Sequence, residues 1–442
     1  MSLLRRHWPL TAVLGLYLVI GGLFARSIPA WQNPDEPAHY NYVRQLAVEG
    51  RFPVIESQDW TAGLVPLSPT AREIATAKMT YEDHQPPLFY LLSLPVFVLS
   101  NGDLLALRLF ALLVGALGVA CAYAVVNAIF PARPALAALA AGFFALLPQH
   151  LALMASYNND ALAEALLGLT LLAAVRLVTG ADALTAGRAV RLGVLVGLSL
   201  LTKAQAYLAL PIGLLGIWWA GRTQGLCNQR NVLGLLVIVA AIGGLFGLPW
   251  WARNIMLYGG TDFLGLQRHN AVVIGQPTTA EWLAERGLGG WLFQMLQTTF
   301  QSFWGQFGWM TIPLASRLYI LLLAFTLLSA GLFLAWWWRE GRAKRADAVL
   351  TLSQSRALTL TAALALLTVL AFLWYNAQFV QHQGRYLFPA LIPVATALAL
   401  GWEFAFRRWT TPARWLWIAM SLGLAGFNVY LLFRVILPEM SR

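Results

Sequence analysis

Repeated apolar runs of roughly 18 residues or more are the feature that most restricts what this 442-residue chain can fold into. Residues 107–129, for example, contain one charged side chain, Arg108. Hydrocarbon offers no hydrogen-bond partner to the backbone, so such runs are stable in a membrane as helices. With 59% hydrophobic residues and a mean hydropathy of +0.64, the chain is predicted to be an all-α polytopic membrane protein.

About eleven transmembrane helices are predicted. The first, from Pro9 to Ala25, is longer than the roughly 7 to 15 apolar residues of a signal peptide, although cleavage near Ala30 is an alternative. Residues 192–219 are predicted to form two short helices with Lys203 at the turn between them, because one crossing would violate the positive-inside rule. The other spans are residues 107–129, 135–154, 161–177, 232–251, 317–337, 357–376, 387–405 and 415–436.

This arrangement predicts one membrane domain, residues 1–442, with the N-terminus inside and the C-terminus outside. Two long outer loops result, residues 27–106 and 250–316. In the first of these loops, the apolar stretch 87–100 is too short to cross, so it is predicted to be a juxtamembrane or re-entrant helix. The net charge of +11 is explained by inner-side anchoring and by membrane lipids, and no basic stripe with interleaved aromatic residues indicates nucleic acid.

Two adjacent carboxylates, Asp35 and Glu36, follow the first span in a chain that is only 11% charged. A second polar cluster, which includes His84, ends the predicted first outer loop. The loop at residues 156–160, the turn at Lys203, the loop 250–316 and residues 382–386 are predicted on the same outer side. Together these clusters indicate a reaction centre at a membrane surface.

Eight motifs in this order resemble the GT-C class of membrane glycosyltransferases, and especially bacterial relatives of the protein O-mannosyltransferases and of the aminoarabinose transferase of lipid A. They are PDEPAHY (34–40), HQPPL (84–88), LRLFALLVGAL (107–117), SYNNDAL (156–162), LLTK (200–203), LPWWARN (248–254), FWGQFGWM (303–310) and QGRYLFP (383–389). The resemblance implies a GT-C-like fold. It also implies transfer of a hexose or pentose from a polyprenyl-phosphate donor to a lipid, glycan or protein acceptor, with inversion, outside the bacterial cytoplasmic membrane.

The resemblance matches Asp35 to the catalytic aspartate of the family, and a carboxylate can take the proton of an acceptor hydroxyl in the transition state. Glu36 is predicted to orient the acceptor or to share the proton with Asp35. The alternative is that Asp35 caps a helix beginning near Pro37. His39, four residues after Asp35, is predicted to hydrogen-bond its carboxylate. His84 is predicted to contact donor or acceptor, with a surface histidine as the alternative.

The leaving lipid phosphate requires fixed cations, and Lys203, Arg253 and Arg385 are predicted to converge on it. The alternatives are a structural ion pair for Lys203, an interfacial position for Arg253, and anchoring of the next helix for Arg385. Backbone at the glycine before Arg385 can approach a ligand closely. Tyr386, the next residue after Arg385, is a further candidate for substrate contact.

Asn159 and Asp160 lie where metal-dependent members of the broader class carry acidic ligands. One carboxylate flanked by amides is a poor site for a divalent cation, so no metal site is predicted and helix capping is the alternative. The two cysteines, Cys121 and Cys227, have no disulfide or zinc spacing.

Two other classes of function are compatible with many spans and intramembrane cations: a transporter or flippase of lipid-linked sugars, and a non-catalytic lipid-binding scaffold. The sequence has no internal repeat of the kind typical of transporters. The sugar, the acceptor and the length of the prenyl chain do not follow from the residues.

Overall fold

Long helices make up most of the protein in a computed structural model that describes residues 3–60, 76–225, 229–341, 350–407 and 410–440. The helices of this part of the chain are α1 (Leu3–Ser27), α2 (Glu36–Glu49), α3 (Leu88–Leu99), α4 (Leu104–Ile129), α5 (Pro134–Leu146), α6 (Pro148–Met154), α7 (Asp160–Val178), α8 (Ala186–Leu200), α9 (Ala209–Thr223), α10 (Gln229–Tyr258), α11 (Leu266–Val272), α12 (Thr279–Trp304), α13 (Ser316–Trp336), α14 (Leu352–Asn376), α15 (Leu391–Phe406), α16 (Thr410–Leu431) and α17 (Leu437–Met440). Short 3-10 or π-helical turns extend α9, α13, α15 and α16.

Within these described ranges, nine helices are long and apolar enough to cross a membrane. The bent pair α5 and α6, with 67° between its two parts, makes a tenth. Helix α8 has 15 residues, and it occupies the place of the remaining predicted span. The protein is an all-α integral membrane protein, as the sequence predicted, although the count of eleven crossings stays a prediction.

The segment around Lys203 folds as predicted, into two short helices. Helix α8 ends at Leu200, and α9 begins at Ala209 after a 3-10 turn at Ala204–Leu208. Helix α8 packs closely on α10 because Gly193 leaves room: a Cβ there would lie 2.9 Å from Cβ of Ile242. Small residues at such contacts let transmembrane helices approach.

The described parts of the segment between α1 and α4, residues 28–60 and 76–103, form a layer in which α2 packs against α3. The apolar helix α3 has 12 residues, which is too short to cross a membrane, as the length of its apolar run predicted. A small hydrophobic cluster, separate from the main core, holds the layer to the segment that precedes α12. We call it the cap cluster, and its buried members are Ala38, Ile55, Met79, Tyr81, Val272 and Val273.

A two-stranded antiparallel hairpin follows α12, with β1 (Gln306–Phe307) paired to β2 (Ile312–Pro313). Its tip carries Trp309 and Met310 with φ of 56° and 68°, which is unusual for large side chains. The indole nitrogen of Trp309 donates to the carbonyl oxygen of Trp31 at 3.0 Å. This bond joins the hairpin to the segment that carries Asp35.

Candidate active site

Asp35 occupies the N-cap position of α2 in a left-handed conformation, with φ of 66°. Its carboxylate makes no capping hydrogen bond, so the capping role considered from the sequence is wrong for the side chain. Non-glycine residues in this region of φ are strained and cluster at functional sites. The backbone turn directs the carboxylate away from its own helix and towards distant segments of the chain.

Two groups hold that carboxylate. Oδ2 of Asp35 lies 2.6 Å from Nη1 of Arg385, and the hydroxyl of Tyr81 donates to Oδ1 at 2.5 Å. Burial would raise the pKa of Asp35, but the guanidinium of Arg385 and the Tyr81 hydrogen bond outweigh it and hold the pKa well below its ordinary value. Burial, followed by the Asp35 charge, raises the pKa of Tyr81 well above 10, so its hydroxyl remains a donor. Asp35 is therefore ionised at neutral pH.

Arg385 is held in place by packing of the preceding glycine against α12. A Cβ on Gly384 would lie 2.5 Å from the carbonyl oxygen of Thr299, so no other residue fits without movement of the backbone. The amide of Gly384 donates to Oγ of Ser302 at 2.7 Å. The sequence predicted a close approach of this glycine to a ligand. The structure shows a close approach of Gly384 to helix α12, and the approach to a ligand stays a prediction.

Glu36 lies beside Asp35 in the sequence but faces the opposite way. Its carboxylate is fully buried and accepts from Nε and Nη2 of Arg108 at 2.7 and 2.6 Å. The remaining nitrogen, Nη1 of Arg108, donates to the carbonyl oxygens of Ala25 and Ile28. This cluster joins the end of α1 to α2 and α4, so it positions the Asp35 loop. The geometry provides no proton shared between Glu36 and Asp35.

The predicted hydrogen bond from His39 to Asp35 is absent. Nδ1 of His39 lies 2.7 Å from the hydroxyl oxygen of Tyr90 on α3. Burial lowers the pKa of His39 below its ordinary 6.5, so the imidazole is neutral at pH 7. Its charge state still couples electrostatically to Asp35.

His84 is buried, with 3% of its surface exposed, which excludes the surface alternative. Its Nδ1 lies 3.2 Å from the carbonyl oxygen of Tyr81, and its ring centroid lies 4.6 Å from that of His269. Burial, followed by the proximity of His269, lowers the pKa of His84 well below 6.5. The donor or acceptor contact predicted for His84 stays a prediction.

Lys203 and Asp160 form an ion pair, with Nζ of the lysine 2.5 Å from Oδ1 of the aspartate. This pair is the structural alternative considered for Lys203, and the lysine charge also acts on Asp35. The side chain of Asn158 accepts from the amide of Asp160 at the start of α7. Asn159 instead reaches towards the Gln85 side chain, with 3.4 Å between Nδ2 and Oε1. In the described ranges, no three His, Cys, Asp or Glu residues form a potential metal site.

The guanidinium of Arg253 donates to the backbone carbonyl of Pro53 and lies over the ring of Trp250, 4.3 Å from the centroid. The convergence of Arg253 with Lys203 and Arg385 on a lipid phosphate stays a prediction. Tyr386 lies next to Arg385, whose guanidinium carbon is 5.5 Å from the Tyr386 ring centroid.

Sequence reasoning did not select Tyr81 or Arg108 as site residues, and it placed Glu82 in the second polar cluster without giving it a role. Arg108 had a usable signal, since an arginine inside an apolar span requires a partner. Glu82 is buried, and its charge acts on both His39 and Tyr81. Glu82 and Asp160, rather than Glu36, are further carboxylates whose charges act on this centre. Tyr81 carries no pattern that distinguishes it from a core aromatic residue.

The arrangement of helices is the GT-C fold of membrane glycosyltransferases. ArnT from Cupriavidus metallidurans bound to undecaprenyl phosphate aligns with 98% of this chain and 73% of its own, at TM-score 0.51 and 15% identity. Its apo structure aligns over the same shares, at TM-score 0.52 and 14% identity. The oligosaccharyltransferase of Archaeoglobus fulgidus, in complex with Zn and sulfate, aligns with 97% of this chain and 53% of its own, at TM-score 0.51 and 14% identity. The GT-C-like fold predicted from the motifs is thus confirmed.

Residues 66–394 match the family described as predicted membrane protein (DUF2142), and the chain belongs to that family. The matched region includes Lys203 and Arg385, whereas Asp35 precedes it. No curated protein matches the sequence.

Proposed function

We propose that this protein is an inverting glycosyltransferase that moves a sugar from a polyprenyl-phosphate donor to a lipid, glycan or protein acceptor. The site faces outside the bacterial cytoplasmic membrane, where the segments 27–106 and 250–316 form the outer loops of a single membrane domain. The observation that carries the proposal is the ion pair between Asp35 and Arg385, in which Asp35 has a positive φ of 66°. The likeness of fold to ArnT bound to undecaprenyl phosphate supports the donor class.

In the proposed reaction, Asp35 accepts the proton of the acceptor hydroxyl. The acceptor oxygen forms a bond to the anomeric carbon as the bond from that carbon to the phosphate oxygen breaks, which inverts the configuration. Polyprenyl phosphate leaves with the electron pair. Arg385 and Lys203 offset the charge that develops on this phosphate.

The ion pair with Arg385 makes Asp35 a weak base before the donor binds. A carboxylate whose pKa is held low by a guanidinium is a weak proton acceptor. A donor phosphate that binds Arg385 would compete with Asp35 for the guanidinium, and the pKa of Asp35 would then rise towards its ordinary range. Donor binding would therefore activate Asp35, and the carboxylate would become a competent base when the leaving group is in position.

The test is a transfer assay with purified protein in lipid nanodiscs. Polyprenyl-phosphate-linked sugars are supplied with extracts of cell-envelope lipids and proteins, and both free polyprenyl phosphate and the glycosylated product are quantified. The proposal requires both products in equal amounts and their loss in Asp35→Asn. Movement of the donor between leaflets without a glycosidic product would identify a flippase, and binding without either outcome would identify a scaffold. Comparison of glycolipids and glycoproteins from a deletion strain would identify the acceptor.

A further inference from the structure

The second half of α12, residues 288–304, has three distinct sides. Gly287 interrupts the helix, with φ of 66° and ψ of 171°, so the two halves are separate helical segments. One side of the second half packs on the protein through the buried residues Met295 and Ser302. A second side is apolar, and helical spacing places on it Leu292, Phe293, Leu296 and Phe300. A third side carries three glutamines, Gln294, Gln297 and Gln301.

The apolar side of this half is not covered by the protein. Phe293 and Leu296 have 69% and 66% of their surfaces exposed, and Leu292 has 38%. Complete burial of one such side chain is worth about 1.5 to 3 kcal/mol, so contact of the whole side with water is unfavourable. However, α12 is not among the nine helices of the described ranges that are long and apolar enough to cross a membrane. Its apolar side therefore requires a cover that involves no crossing.

The end of α12 shows how deep the helix lies. Nε1 of Trp304 donates to Oγ1 of Thr326 at 3.2 Å, and Thr326 is ten residues after Ser316, where α13 begins. At a rise of about 1.5 Å per residue this is about 15 Å, or half of a hydrocarbon core about 30 Å thick. The ring of Phe143, in the middle of the bent pair α5 and α6, lies 5.9 Å from that of Trp304. Trp304 thus reaches towards the middle of the membrane.

The helix that carries Trp304 must therefore enter the leaflet that the first half of α13 crosses, which we call the site-side leaflet. The apolar side of α12 continues into the exposed surface of α13, since the ring of Phe300 lies 6.4 Å from that of Tyr319. Ile320 and Leu321, the next residues of this span, are exposed as well. Separate apolar and polar sides are typical of a helix at the boundary between lipid and water.

The protein-facing side of the same half holds the segment that carries Arg385. The hydroxyl of Thr299 donates to the carbonyl oxygen of His382 at 3.1 Å, and Oγ of Ser302 accepts from the amide of Gly384. The backbone of α12 leaves no room for a Cβ on Gly384. The depth of α12 in the membrane therefore determines the position of Arg385.

We propose that the second half of α12 lies in the site-side leaflet, with Leu292, Phe293 and Leu296 against the acyl chains of bilayer lipids. Arg385 is then anchored to a helix that the bilayer itself supports. The inference goes beyond the proposed transferase function and does not depend on it. A prenyl chain or a second copy of the protein on the same side of α12 is an alternative outcome of the test.

The experiment is spin-label EPR of the full chain in nanodiscs of phosphatidylethanolamine and phosphatidylglycerol, without polyprenyl lipid. Phe293→Cys and Leu296→Cys are each labelled in a chain that also carries Cys121→Ala and Cys227→Ala. Glu285→Cys, at an exposed position before Gly287, is the control. Power saturation compares collisions of the label with O₂, which partitions into hydrocarbon, and with a water-soluble nickel complex. The ratio of O₂ to nickel accessibility should be at least about five-fold higher at both apolar positions than at the control.

A ratio at both apolar positions equal to that of the control would overturn the proposal, because both labels would then lie in water. Low accessibility to both reagents would also overturn it, since a second copy of the protein would then cover the helix. A fall in O₂ accessibility on addition of polyprenyl phosphate would assign this side to a prenyl chain instead. Two separate, exposed label positions keep the test valid if one variant does not fold. None of these results requires turnover, so they are distinguishable from failure of the proposed function.

Discussion

Oδ2 of Asp35 lies 2.6 Å from Nη1 of Arg385, although one residue follows the first long helix and the other begins the segment that leads into α15. Both side chains are mostly buried, with 16% and 14% of their surfaces exposed. A contact between such distant parts of the chain, in a membrane protein with few charges, brings the proposed base and the proposed phosphate ligand into one centre. Each partner therefore affects both stability and chemistry.

Arg385→Gln should destabilise the protein because it leaves the Asp35 carboxylate buried without its counter-charge. Breaking a buried pair from one side costs roughly 3 to 5 kcal/mol, reduced here by partial exposure. Arg407→Gln is the control, since it breaks an exposed pair with Glu340 and should cost less than about 1 kcal/mol. Chemical or thermal unfolding in detergent measures both. Equal losses in the two variants would contradict a special role for the Asp35 partner.

Glu36→Gln should lower the stability of the protein and leave the turnover of each folded molecule unchanged. Glu36 and Arg108 are 0% and 4% exposed, so a neutral amide at this position leaves the guanidinium without its counter-charge and costs about 3 kcal/mol or more. The activity that remains should scale with the folded fraction, measured by size-exclusion chromatography alongside turnover. If the Glu36→Gln protein were stable and its turnover were lowered a hundred-fold, the result would support the catalytic role that the sequence predicted for Glu36.

Much of the fold could be predicted from the sequence because hydrophobic length alone defines membrane spans. The short helices on either side of Lys203 followed from the positive-inside rule, and the length of α3 followed from its apolar run. Asp35 was selected as the candidate base because the motif around it resembles one in the GT-C class. These signals are local, and each can be interpreted along the chain without knowledge of its partners.

Pairing within the site was less predictable, because adjacent residues diverge in space. Asp35 and Glu36 are neighbours, yet the positive φ of Asp35 turns them towards Arg385 and Arg108 respectively. His39 was matched to Asp35 by helical spacing, but α2 begins after Asp35, so the two do not share a helix face. Arg253 was assigned to the phosphate site because its loop is predicted on the outer side of the membrane. The side of the membrane does not specify the lateral position of a side chain.

The stability of the protein should fall as pH drops below about 6.5, partly through His84. The folded pKa of His84 lies below its unfolded value because of burial, so the unfolded chain binds more protons between the two values. Stability is then present above about pH 6.5 and is lost below it, by up to about 1.4 kcal/mol per pH unit for one histidine. Asp83, whose pKa burial raises, has the opposite effect on the pH dependence of stability.

His84→Asn separates the two contributions, because the amide can still donate to the carbonyl of Tyr81 but does not titrate. The midpoint of thermal unfolding, followed from pH 7.5 to pH 5 in both proteins, should fall less steeply in the variant. Parallel curves for the two proteins would show that His84 does not contribute to the acid sensitivity.

Activity is predicted to survive chelation by EDTA, and Asp160→Asn should be milder than Asp35→Asn. The carboxylate of Asp160 already has a cation, since Nζ of Lys203 lies 2.5 Å from Oδ1. A divalent ion would have to displace the lysine and recruit further oxygen ligands. Turnover with and without EDTA checks this. Complete loss on chelation, restored by magnesium or manganese, would place a metal in the mechanism.

The most direct measurement is single-turnover release of polyprenyl phosphate by purified Asp35→Asn, with donor and acceptor at saturating concentrations. Loss of a general base should lower the rate per folded molecule by about 10² to 10⁴. The thermal midpoint should also fall, because the variant leaves the guanidinium of Arg385 without its counter-charge, so the rate is measured on the folded fraction. Tyr81→Phe, which removes the hydroxyl that donates to Asp35, should have a smaller effect on the rate. A near-normal rate in folded Asp35→Asn would show that Asp35 is not the general base of the proposed reaction.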